Sequence, residues 1–176
     1  MISENNRLRK ATRTLTMRIG GWALIVCVFL EIMLSLFGGL GPRVPSGITE
    51  TIYAVLLVIG MSAIQATQPQ TKHWGMIGLL LMVLSKISLI SYLARLGGFP
   101  IISFFAEVVG YLIVGWVTIK AKVFPVWTGW MLIVSGILYF VDSYYGPADW
   151  ILFAVLTNSI TFVGYGWYML QQRTPN

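Results

Sequence analysis

Charge is scarce in this sequence. Only 10% of its 176 residues are Asp, Glu, Lys or Arg, against about 25% in a soluble domain. So few charges cannot cover a water-facing surface, and 57% of the chain is hydrophobic. The reading is an all-α integral membrane protein whose first partner is the lipid bilayer. Cysteine and histidine are nearly missing too. The lone Cys27 excludes an intramolecular disulfide. The lone His73 excludes any site that needs two imidazoles from one chain. No P-loop, H-E-x-x-H, C-x-x-C or nucleophile elbow occurs. Enzyme chemistry is therefore the weaker expectation. No metal site is expected, and the sequence points to no particular cofactor.

Acidic residues are scarcer than basic ones: six Asp and Glu against twelve Lys and Arg, a net charge of +6. In a soluble protein that excess would suggest nucleic acid. Here the basic residues sit mainly in the N-terminal segment and in short loops, so the excess reads as membrane orientation, and no nucleic-acid partner is expected.

What is abundant is apolar sequence. Residues 124–142, FPVWTGWMLIVSGILYFVD, set the pattern. Pro125 suits a first helical turn, where a missing N–H costs nothing. Thr128, Ser135, Tyr139 and Asp142 recur on one helical face. Six spans of this kind are expected, over 19–40, 51–67, 74–96, 101–119, 125–141 and 150–170. Residues 1–18 form a basic tail, 19–170 a single six-helix domain and 171–176 a C-terminal tail. The tail reads as part of the mature chain and not as a signal peptide, because the following run is long enough to span and contains Glu31.

With both termini inside, the inner side holds Arg7, Arg9, Lys10, Arg13, Arg18, Lys72, Lys120, Lys122 and Arg173; the outer holds Arg43 and Arg95. This bias predicts both termini in the cytoplasm, in a bacterial inner membrane. Six of the seven tryptophans fall near the inner interface and only Trp150 near the outer.

Gly21, Gly75 and Gly129 are spaced 54 residues apart, each beside a tryptophan at the start of an odd-numbered span. Two readings stay open. One is three helical hairpins in parallel repeat; the other is the ordinary abundance of Gly and Trp at membrane interfaces.

Glu31, Lys86 and Glu107 lie inside spans, where a charge costs about 2.5–3.5 kcal/mol at mid-bilayer. All three fall in the outer half by helical rise. Lys86 is rotated away from the Ser85–Ser88 face of its own helix. The candidate site is an outward-facing polar pocket lined by Glu31, Glu107, Tyr111, Tyr139, Asp142 and Asn158, with Lys86 or Arg95 balancing charge. Its expected use is binding or transport of a small molecule or ion. The competing expectation is a non-catalytic accessory subunit whose polar stripes contact partner helices. Ala106-x-x-x-Gly110 and Ser62-x-x-x-Ala66 read as close-packing faces.

Overall fold

From Ile2 to Phe37 the chain contains no proline, and residues 2–18 are rich in Arg, Lys, Leu, Ala and Glu. These are good helix formers. In the computed structural model the first helix accordingly starts at Ile2, well before the apolar run, and the basic tail is its first part. Residues 2–37, 46–68, 71–93, 100–145 and 149–171 are described, with side chains over 11–33, 51–68, 71, 73–88, 102–141 and 153–171.

Six helices account for nearly all of these residues: α1 (Ile2–Phe37), α2 (Ser46–Ala66), α3 (Lys72–Leu93), α4 (Pro100–Ala121), α5 (Val126–Tyr145) and α6 (Asp149–Gln171). No strand occurs among the described residues. The segments Ala11–Met33 and Ile102–Ala121 are long and apolar enough to cross a membrane by length and composition; Thr51–Ala66, His73–Ser88 and Val126–Val141 are shorter apolar helical segments.

Local chemistry sets the helix ends. Pro100 opens α4 at the position where its missing N–H is harmless. Pro125 lies just outside α5, not inside its first turn. Its carbonyl accepts from Thr128 N (3.0 Å) and Thr128 Oγ1 (2.7 Å). At the close of α4, Lys122 takes a left-handed conformation (φ 53°) and its N–H donates to Thr118 O at 3.3 Å, an αL cap.

Each helix packs against its neighbours in sequence, and α6 closes on α1, so the six form a ring. Neighbours run antiparallel: Gly20 meets Ala63 while Cys27 meets Tyr53, and Gly21 meets Gly166 while Glu31 meets Asn158. Glycine permits the tightest approaches. A Cβ on Gly115 would lie 2.6 Å from Gly129 O, and one on Gly129 equally close to Gly115 O. Gly21 and Gly166 are related in the same way across α1 and α6, at 2.9 and 2.7 Å. Ala106 and Gly110 do face inward, but Ser62 and Ala66 are exposed, and α2 instead uses Gly60 and Ala63 against α1.

The ring carries large apolar side chains on its outside and encloses polar ones beside its apolar core. Trp22, Phe29, Leu80, Ile87, Phe153 and Trp167 stand exposed on its outside. Ser85, Thr118, Thr128, Ser135, Asn158 and Thr161 are fully buried within it. Between the polar groups lies an apolar layer built from Leu24, Leu57, Met61, Met82, Leu132 and Phe162.

Candidate functional site

Two polar layers flank this apolar core. Near the end that carries both chain termini, Tyr165 Oη donates to Thr118 Oγ1 at 2.9 Å, and Gln68 Nε2 reaches the same oxygen at 3.3 Å. Phe124 packs edge-on against Tyr165, 5.0 Å between centroids, and covers it. Among the described residues no charged side chain joins these bonds.

The second layer contains the buried charges. On α4, Ser103, Glu107 and Tyr111 recur every four residues and so share one face. Antiparallel α3 brings Ser85 and Lys86 opposite them. Lys86 Nζ bonds Glu107 Oε1 at 2.6 Å, and Tyr111 Oη donates to the same oxygen at 3.2 Å. Ser85 Oγ donates to Glu107 Oε2 at 3.1 Å, while Ser103 Oγ donates to Ser85 O at 2.8 Å. Glu107 therefore has three donors, one of them charged.

Lys86 does not point away from this centre. Ser85 and Lys86, adjacent on α3, both converge on Glu107, because the lysine's long stem carries its ammonium round the helix. That stem lines an apolar groove of about 260 Å³ between α2 and α3, with Ala54, Val55, Val58 and Ile59 on one wall and Val83 and Ile87 on the other. The ammonium also lies over the Tyr53 ring, 5.4 Å from its centroid.

Glu31 is placed differently. It is buried on α1, and its partners come from α6. Asn158 Nδ2 donates to its two oxygens at 3.2 and 3.4 Å, and Ser159 Oγ lies 3.5 Å from Oε2. One turn earlier on α1, Cys27 Sγ donates weakly to Tyr53 O at 3.8 Å.

Followed around the ring, these contacts close on themselves. Cys27 joins α1 to α2, Tyr53 meets Lys86 across α2 and α3, and the ion pair joins α3 to α4. Tyr111 stacks on Tyr139, 5.9 Å between centroids, joining α4 to α5. Ser135 Oγ donates to Ala154 O at 3.2 Å between α5 and α6, and Asn158 returns to Glu31. Every helix contributes to one polar belt.

Of the candidate residues, Glu31, Lys86, Glu107, Tyr111, Tyr139 and Asn158 come together in the belt. The side chain of Asp142 lies outside the described residues, as does Arg95. Tyr53 and Ser159 belong to the belt and escape a reading of the sequence. A tyrosine in a run of aliphatic residues does not disturb the helical pattern, and only the rotation of α2 shows that it faces Lys86. The signal that was available is that Tyr53 is the one polar residue on the buried Tyr53–Leu57–Ile64 face of α2. The chain matches no known family model, no curated protein and no solved structure.

Proposed function

We propose that this chain is a six-span protein of a bacterial inner membrane, with both termini in the cytoplasm, which binds or transports a small molecule or ion at the polar belt. The observation that carries the reading is the belt itself: six helices place an ion pair, a second carboxylate and a set of serine, tyrosine and asparagine side chains in one layer inside an apolar-faced ring. Charges in such surroundings cost several kcal/mol to insert, and residues kept there commonly serve a ligand or ion path.

Other features support the membrane setting. Helices α2–α6 have 20–23 residues each, about 30–35 Å at 1.5 Å per residue, the thickness of a bilayer core. Trp22, Trp74, Trp116, Trp127, Trp130 and Trp167 are all exposed at the end where the basic residues concentrate. Lys120 Nζ lies 4.5 Å from the centroid of the Trp116 ring, at the level of such an interface. The parallel repeat gains support as well. Glu31, Ser85 and Tyr139 share the 54-residue interval of the glycines and all join the belt. Cys27 and Ser135, two intervals apart, each donate to a carbonyl of the following helix.

One observation favours the accessory-subunit reading: Glu107 is fully satisfied by groups of its own chain, as a structural pair is. A double replacement separates the two. Lys86→Met with Glu107→Leu removes the pair without leaving an unpaired charge. Native mass spectrometry of protein extracted gently from its own membrane then reads the outcome. A small mass carried by the unmodified chain and lost from a folded double variant supports the binding site. A co-purifying polypeptide retained by both, with no small mass on either, gives the chain to the accessory reading.

A further inference from the structure

The belt's two carboxylates differ in what faces them. Glu107 has an ammonium at 2.6 Å. Glu31 has only neutral donors, and among the described residues no Lys, Arg or His nitrogen lies within 4.0 Å of it. The titratable groups around it are Cys27 on its own helix, Tyr53 on α2, Lys86 on α3, and Glu107 and Tyr111 on α4, with Tyr139 of α5 behind Tyr111; α6 presents the neutral Asn158 and Ser159. Lys86, the one cation among them, is already held by Glu107. Glu50 and Asp149, near the ends of the flanking helices, are of the same sign as Glu31, with side chains outside the described set.

A second observation points to what is missing. Asn158 is fully buried and gives its Nδ2 to Glu31, but its Oδ1 has no hydrogen-bond partner. Oδ1 shares a carbon with the Nδ2 that bonds the Glu31 carboxyl. A buried amide oxygen without a donor is rare and unfavourable. The one donor a carboxyl group can offer is its own proton.

We infer that Glu31 is a proton-binding site: its protonated carboxyl donates to Asn158 Oδ1 and accepts from Asn158 Nδ2, while Glu107 keeps its contact with Lys86. Among the described residues the layer holds two carboxylates and one ammonium, and one proton taken from water balances the second carboxylate. The orphan oxygen and the uncompensated charge are resolved together. The belt then combines a fixed ion pair with one exchangeable proton. If the belt is a binding or transport centre, Glu31 is where its ligand would be linked to pH. That linkage rests on the functional reading above; the proton itself does not.

The test uses the full chain in lipid vesicles. Infrared difference spectra between acidic and alkaline buffers report the C=O stretch of a protonated carboxylic acid. Dicyclohexylcarbodiimide, which attacks buried protonated carboxyls, reports the position through peptide mass spectrometry. A carboxylic band that is lost in Glu31→Gln and kept in the Lys86→Met/Glu107→Leu variant is the expected result. The adduct should map to Glu31, with less of it as pH rises, and not to Glu107. Glu31→Gln should fold, since glutamine resembles the protonated acid. Should it not, Asn158→Leu provides the second reading, because loss of the amide donor must shift the band to higher wavenumber. A band indifferent to both replacements, or an adduct on Glu107 alone, overturns the assignment. A carboxylic band absent at every pH also overturns it, whereas a band lost on adding sodium at constant pH supports it and shows a metal cation competing for the same carboxyl. A band that behaves as expected in a protein with no ligand leaves the proton site standing and removes the binding reading.

Discussion

Single residues differ in how much depends on each. Glu107→Gln takes the carboxylate out of the buried pair with Lys86, so a loss of about 3–5 kcal/mol in stability is expected, while the Lys86→Met/Glu107→Leu double variant should lie close to the unmodified protein. A double-mutant cycle on thermal unfolding in detergent checks both. Tyr111→Phe removes one of two donors to Glu107 Oε1 but keeps the stacking on Tyr139. It should cost about 1 kcal/mol by the same assay. At this scale the sequence was partly legible. Charged residues inside apolar runs stand out unaided, and so did Glu31, Lys86 and Glu107. Their partnerships did not: a lysine reaches several ångströms around its helix, and whether Asn158 meets Glu31 or another group depends on how α6 is rotated against α1.

Among the elements, hydrophobic run length found all six helices. Their ends were harder to read, because helix formation continues past the apolar stretch wherever no breaker intervenes, as over residues 2–18 of α1. Helix contacts follow glycine more than any longer motif. Gly129→Val would place a side chain against Gly115 O, where even a Cβ has only 2.6 Å. It should part α4 from α5 and lower the unfolding temperature sharply. Ser62→Leu, on the exposed face of α2, should change stability by no more than about 0.5 kcal/mol. Monodispersity after detergent extraction compares the two directly. At the end of α4, Lys122→Gly relieves a left-handed conformation that a side chain disfavours. A gain of about 1 kcal/mol is expected in the same unfolding measurement.

The whole molecule is a ring, and its side-to-side order was implicit in short connections that make successive helices antiparallel neighbours. The closure of α6 on α1 was not, since nothing local to either helix specifies it. If the ring spans the membrane as proposed, alkaline phosphatase fused after Arg43 or Gly97 should be active in the periplasm, and fusions after Gln70 or Val123 should be inactive. The reverse pattern would invert the orientation. Closure has a further consequence, for how the protein is made. Glu31 and Asn158 are 127 residues apart in sequence, so at about 5–20 residues per second the first helix waits roughly 6–25 s for its last partner. On the proposed placement α1 stands in the bilayer during that interval with a carboxyl group that α6 does not yet cover. A nascent chain interrupted before α6 therefore keeps an acid near its beginning without its Asn158 partner, which distinguishes an unfinished copy from a finished one.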